Sequence, residues 1–476
     1  MIFASKAFLV FLPLVLLCYF ALRTRTQKYR LLLAASWLFY AWISPQYLWV
    51  IILCTVIDYI AAIKIEDAQS ETGRKRWLKL SILANLGLLA AFKYTVFAYD
   101  NVVSLAQLCG FDIRDRYWNI LLPLGISFHT FQGISYTVDV YRKQIRAVRS
   151  FLDYALFVAF FPQLAAGPIV RAVEFLPQMV TPPTPTAKQV SDGLHLFALG
   201  LFKKLFIADQ LDLLIVSPVF GNPAAFDATA HRWAALAWVA QIYCDFSGYS
   251  DMAVGVAKWF GFDLPRNFNL PYLATSITDF WRRWHLSLST WLRDYVYFPM
   301  GGSKCSPLRC YFNLMVLFVL CGLWHGATWA WLAYGVYNGT LMCAHRVWDR
   351  ALTGLAWADR VRASRVWIAF AWFATLAQVT AGLVLIRMTT RSDGWLMLKS
   401  LAAFEIWSVN TVTVPVWIPL LIVCVVLGHF FGALWAKRGA RWFVPAPVRA
   451  IAYVAVVCVL VTLTPGVSKT FIYIQF

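Results

Sequence analysis

Two short stretches hold most of the residues able to do chemistry. Phe280-Trp281-Arg282-Arg283-Trp284-His285 and Gly322-Leu323-Trp324-His325-Gly326 place two arginines and two histidines in a chain that is otherwise largely apolar. Each histidine follows a tryptophan, and the two lie 325 − 285 = 40 residues apart. An imidazole near its ordinary pKa exchanges protons near neutral pH, so His325 and His285 are candidates for proton transfer. Guanidinium forks match phosphate oxygens, so Arg282, Arg283 and Arg293 are candidates for holding a phosphorylated ligand, with Trp281 and Trp284 in the same set. Ionisable groups at membrane depth are expensive and rarely decorative.

The composition places these residues in a membrane. Apolar residues make up 61% of the 476 and charged residues only 14%; mean hydropathy is +0.63. A soluble domain carries about a quarter charged residues. The fold class is therefore an all-α multi-pass membrane protein, expected as a single membrane domain over residues 1–476. Segments long and apolar enough to be candidate spans are Phe8–Leu22, Leu31–Ile43, Tyr47–Ile63, Leu80–Phe97, Ile120–Val140, Tyr154–Val170, Leu194–Ile215, Trp233–Phe246, Tyr311–Trp324, Ala327–Ala344, Val366–Ile386, Val414–Ala436 and Ile451–Leu463. Short ones fit a locally thinned bilayer or re-entrant helices. The first lacks a small-residue cleavage site and reads as a retained helix, which points to a bacterial inner membrane.

The net charge of +19 resides in clusters between these segments. That pattern fits the positive-inside bias and contact with anionic membrane lipid, and no basic domain stands apart to bind nucleic acid. It orients the N-terminus outside and the Arg23 loop inside. A strict count of spans then puts the last two basic clusters outside, and the simplest repair is that one candidate between Tyr154 and Phe246 does not cross. The ten cysteines show no paired zinc spacing; Cys305 and Cys310 lie near a basic loop assigned to the reducing cytoplasm and are expected to be free thiols.

Tyr311 to Ala344 contains no Asp, Glu, Lys or Arg over 34 residues. Two full spans need about 40, so a hairpin here holds its tip below the membrane surface. Gly322 and Gly326 allow close backbone approach at that tip, and His325 is expected at the floor of a pocket open to the outside. A histidine at a hairpin tip can equally serve only to bond a backbone carbonyl; position alone supports both readings. Over Asp279–Tyr297, apolar residues at helical spacing are interrupted by arginines, which predicts a helix lying in the interface or lining a wet cavity. Snorkelling arginines would give the same pattern without a ligand. Asp245 and Asp251 close an apolar run and need partners, for which the 282–293 arginines are candidates; a structural ion pair is the plainer role. Lys203 and Lys204 raise the same question, and His129 reads as buried and neutral. There is no P-loop, dinucleotide fingerprint, nucleophile elbow or His-Glu-x-x-His, which argues against nucleotide hydrolysis, hydride transfer and zinc proteolysis.

Read together, the motifs carry a resemblance. Leu122-Pro123-Leu124-Gly125-Ile126-Ser127-Phe128, Ala166-Gly167-Pro168, Phe202-Lys203-Lys204, Asp245–Ala253, Asn267-Phe268-Asn269, Phe280–Tyr297, Gly322–Gly326 and Tyr473–Phe476 run in order along nearly the whole chain. In these the chain resembles the membrane-bound O-acyltransferase family, in its bacterial branch containing the membrane subunit of alginate O-acetylation. The resemblance implies about a dozen helices, some short or re-entrant, around a central tunnel. It implies His325 as the catalytic residue and His285 as the second polar group. Acetyl-CoA is the implied donor substrate, with no permanently bound cofactor. The implied acceptor is an exported polysaccharide, reached directly or through an exported acetyl-esterase-like (SGNH) partner. Peptidoglycan or cellulose as acceptor, D-alanyl transfer from a carrier protein, and a transporter or flippase are the competing readings.

Overall fold

A computed structural model describes residues 1–111, 122–123, 125–164, 167–388, 390–402, 414–438, 448 and 453–454. Among them the secondary structure is entirely helical. Leu124, Ala166 and Tyr473–Phe476 lie outside the described residues, as do part of Ile120–Val140 and all of the expected Ile451–Leu463 span except Tyr453 and Val454. Among the described residues four helices are long and apolar enough to cross a membrane, or five if a pair bent by 59° counts as one span. The chain forms two compact units, Met1–Phe197 with Met252–Pro265, and Ala198–Asp251 with Arg266–Phe476.

In the first unit, α1 (Lys6–Ala21), α2 (Arg25–Ala41), α3 (Leu48–Asp67), α4 (Glu71–Lys93), α5 (Thr95–Leu108) and α6 (Ile126–Tyr141) follow in order. The second helix starts six residues before the apolar run Leu31–Ile43, because Thr24 and Gln27 form a capping box. α4 likewise takes in its basic first turns, and Ser70 caps it by accepting from the Gly73 N–H. The expected Leu80–Phe97 span ends at Lys93, where the chain bends into α5. The Tyr154–Val170 expectation is corrected: the helix there is Phe151–Ala159, nine residues. At ~1.5 Å per residue that is about 14 Å, half of a ~30 Å hydrocarbon layer. A helix of this length falls short of a span, and the charge count asks for one such candidate between Tyr154 and Phe246 without singling it out.

α6 is buried almost all round, which marks a helix surrounded by others. Its polar residues meet a network from α3 and α4. Asp58 Oδ1 accepts from Ser81 Oγ at 2.6 Å and Asn85 Nδ2 at 2.8 Å, and Ser81 Oγ lies 3.0 Å from Thr137 Oγ1. A Cβ on Gly133 would overlap the Asp58 carboxylate, so glycine is what lets α6 lie against α3. His129 is buried, as expected, and its ring nitrogens make no hydrogen bond among the described residues.

In the second unit a long hydrophobic core includes Trp238, Tyr243, Tyr272, Phe280, Trp284, Phe318 and Trp331. Replacing a packed glycine by valine separates the roles of packing and propensity. Gly133→Val is expected to lower the melting temperature of the detergent-solubilised protein by several degrees or abolish recovery, through overlap of the kind that costs about 1–3 kcal/mol or more. Gly87 meets nothing within 4 Å of an added Cβ, so Gly87→Ala should leave the melting temperature unchanged or slightly raised. A thermal melt followed by tryptophan fluorescence distinguishes the two; equal effects would remove the packing argument.

Candidate active site

His325 is carried by a hairpin of α-helices, Pro307–His325 and Trp329–Leu352. Pro307 opens the first helix at a position where its missing N–H costs nothing. The two helices approach backbone to backbone. A Cβ on Gly335 would lie 2.6 Å from the Phe318 carbonyl oxygen, and one on Gly322 would strike the Trp331 carbonyl and come within 3.1 Å of Gly335. At the turn, a Cβ on Gly326 would enter the Trp331 indole. The expected glycine-dependent hairpin is thus present, and its tight turn lays Trp331 flat on His325, with ring centroids 5.0 Å apart and an interplanar angle of 18°. Trp324 meets the same imidazole edge-on at 4.8 Å. His325 is 7% exposed.

His285 reaches the same place by a different device. The helix expected over Asp279–Tyr297 is corrected to a broken one: Ile277–Trp281, then Leu286–Leu292, then a π-helical turn Arg293–Tyr297. The break is at His285 itself, whose φ of 44° and ψ of 56° are left-handed. Such a backbone costs a non-glycine residue about 1–2 kcal/mol. Residues 267–269 hold it. Asn267 O accepts from the Leu286 N–H at 2.9 Å, and Arg283 O accepts from the Asn269 N–H at 2.9 Å. Asn267 Oδ1 accepts from Ser287 Oγ at 2.6 Å, while its Nδ2 donates to Ser250 Oγ at 3.0 Å. Phe246 packs edge-on to the His285 ring at 4.7 Å. His285 is fully buried, with ring centroids 6.1 Å from His325 and 6.0 Å from Trp324. The structure therefore brings together the two histidines that the sequence separates by 40 positions.

The other predicted residues are distributed differently. Arg283 Nε pairs with Asp279 at 2.9 Å, and Arg293 with Asp294 at 2.6 Å. Arg282 is exposed and forms no ion pair among the described residues. Trp281 and Trp284 are core residues: Trp281 Nε1 donates to Asn338 Oδ1 at 3.2 Å, and Trp284 stacks on Phe280 at 5.4 Å. The arginines are not the partners of Asp245 and Asp251. Lys204 Nζ bridges Asp245 at 2.5 Å and Asp209 at 2.9 Å, and Lys203 Nζ holds Asp251 at 2.7 Å. A Cβ on Gly248 would sit 2.7 Å from the Gly200 carbonyl, so glycine permits the approach that forms these pairs. Phe202–Ala208, which carries both lysines, is a π-helical segment, a feature found often at functional sites. The position of Asn267 beside His285 was not visible in the sequence. Its only signal there was membership of the Asn267-Phe268-Asn269 motif.

Comparison with known proteins gives the family. The sequence model of the membrane-bound O-acyltransferase family matches residues 129–390, a range that includes both histidines. The chain belongs to that family; it is a multi-pass membrane acyltransferase. It is 37% identical over 453 residues to the probable alginate O-acetylase AlgI of Azotobacter vinelandii, covering 94% of this chain and 87% of the relative. Its identity to the protein of the same name from Pseudomonas aeruginosa is 39%, covering 86% and 76%. It is also 37% identical to a peptidoglycan O-acetyltransferase of Helicobacter pylori, covering 72% and 69%.

Asn267 supplies a test of how His285 is held. Asn267→Ala removes the side-chain acceptor and donor but leaves the backbone bond. It should lower the maximal transfer rate about ten- to a hundredfold, corresponding to about 1–3 kcal/mol for groups left unsatisfied. Asn267→Asp, which keeps the acceptor for Ser287, should retain more activity than the alanine variant. Equal activity in all three proteins would show that the asparagine does not position His285. Lys204→Met should cost more in stability, about 3–5 kcal/mol, because it removes the cation that two buried carboxylates share; a thermal melt reads it.

Proposed function

We propose that this protein transfers an acetyl group from acetyl-CoA to a hydroxyl of an exported polysaccharide, as an enzyme of a bacterial inner membrane. The observation that carries the reading is the buried His285–His325 pair, with ring centroids 6.1 Å apart, in a chain that matches two probable alginate O-acetylases over most of its length. Neutral His325 takes the proton of the acceptor hydroxyl as its oxygen attacks the thioester carbonyl. The tetrahedral intermediate collapses, the carbon–sulfur bond breaks, and the proton held by His325 passes to the departing CoA sulfur. His285 donates to or orders the carbonyl oxygen as negative charge develops on it. Of the three candidate arginines, Arg282 is the one with no ion pair among the described residues, and it meets the donor's phosphates; Arg283 and Arg293 divide their charge with Asp279 and Asp294. Trp281 and Trp284 support the donor site from the core. The acceptor is the polymer itself or a serine of an exported partner that passes the acetyl group on. Peptidoglycan is the second acceptor class, favoured by the Helicobacter pylori relative.

The reading is tested with labelled acetyl-CoA and purified protein in nanodiscs, offered alginate-type oligosaccharides, peptidoglycan fragments and candidate exported partners. Label should appear on one acceptor class with equimolar free CoA. His325→Ala should abolish transfer in folded protein, and His285→Ala should slow it about 10²–10³-fold, the scale of losing one oxyanion donor. Arg282→Ala should raise the donor concentration for half-maximal rate about tenfold with little change in the maximal rate. Full transfer by His325→Ala would remove that residue from the chemistry. Substrate movement without thioester loss would replace the whole reading with transport.

A further inference from the structure

At the end of the His325-bearing helix remote from His325, two thiols are in contact. Cys305 Sγ and Cys310 Sγ lie 3.2 Å apart. Both reach the carbonyl oxygen of Gly302, at 3.3 Å and 3.6 Å. Asn313 Nδ2 donates to Met300 O at 3.1 Å and to Gly302 O at 3.3 Å, fastening the same loop to the helix. The chain can fold back this tightly because Gly301 and Gly302 take φ values of 102° and 56°, which glycine adopts at no steric cost. Cys310 is fully buried, whereas Cys305 is partly exposed. Contact with Cys310 raises the Cys305 thiol, and the guanidinium charges of Arg309 and Arg346 act against that rise. Nearby guanidinium charge favours the thiolate, the reactive form of cysteine.

We propose that Cys305 and Cys310 form a dithiol modification site that reacts with small-molecule disulfides such as oxidised glutathione. Exposure sets the order. The Cys305 thiolate attacks one sulfur of the small disulfide, whose S–S bond breaks and releases one thiol. The Cys310 thiolate then attacks Cys305 Sγ, forming the protein disulfide and expelling the second thiol. The two cysteines lose two electrons and two protons, and one small disulfide becomes two thiols. The sulfurs must close from 3.2 Å to ~2.05 Å, a movement of about 1.2 Å. A small thiol reverses the reaction. The site draws nothing from the acyl-transfer reading: it stands or falls on thiol chemistry alone.

The experiment uses the full-length protein in nanodiscs, treated with oxidised glutathione, quenched with an alkylating agent and digested without reductant. Cleavage after Arg309 places Cys305 and Cys310 on separate peptides, held together only by a bond between them. The expected result is the crosslinked pair, with both thiols lost to alkylation together and both restored by reduced glutathione. In Cys310→Ser the reaction should stop at a glutathione adduct on Cys305, and in Cys305→Ser Cys310 should stay reduced. Wild-type protein that keeps both thiols alkylatable, or that accumulates a stable glutathione adduct on Cys305, would overturn the proposal. Equal oxidation of Cys310 in Cys305→Ser and wild type would also overturn it.

Discussion

A histidine at φ 44° and ψ 56° is held against its own steric preference, and it stays there only while its neighbours fasten the chain on both sides. That backbone is the constraint on which the second unit's site depends. If residues 280–292 continued as one helix, the ring of residue 285 would point where the 3.6-residue period sends it. The break turns it instead toward Phe246 and Trp324. Strain of about 1–3 kcal/mol persists where the surroundings over-determine it. Here that is done by the backbone bonds of residues 267 and 269 and by the Asn267 side chain between Ser250 and Ser287. His325 is held more simply, at the last residue of a helix whose partner returns across Gly322 and Gly335.

The same economy governs the buried charges. In surroundings without water a charge is kept only with a partner. Lys204 therefore sits between two carboxylates and Lys203 against a third. In the first unit the Asp58 carboxyl is met by hydroxyl and amide donors from α4. In both units a glycine makes the approach possible, Gly248 beside Lys203 and Gly133 beside Asp58. Such paired groups add little net stability but are costly to break singly, so they set which helices may face each other.

For acyl transfer these constraints matter through position. Two imidazoles from distant parts of the chain share an aromatic enclosure of Phe246, Trp324 and Trp331. Water excluded from such a place strengthens each remaining electrostatic contact. Relatives named for alginate and for peptidoglycan match the chain at the same 37% identity. Of the three arginines at 282, 283 and 293, the last two each hold a local carboxylate, and Arg282 forms no ion pair among the described residues.

Much of this was legible in residue order. Composition and the basic clusters marked an all-helical membrane protein, and the uncharged 34 residues from Tyr311 to Ala344 with their glycines announced the hairpin, because helix spans and close helix contacts are written in local pattern. The Trp-His motifs marked both histidines as residues of interest, and the charge count was met most simply by one candidate between Tyr154 and Phe246 that does not cross. The sequence alone could not show where the 279–297 helix breaks. The apolar spacing on either side of His285 is helical, and only bonds from residues 267–269 outweigh it. It could not assign Asp245 and Asp251 to Lys204 and Lys203 rather than to arginines, because ion pairing depends on which helices pack together. Nor could it say that Trp281 and Trp284 would be spent on the core. Periodicity reports which face is apolar; only the tertiary structure decides what that face meets, because the partners are set by packing across long sequence separations.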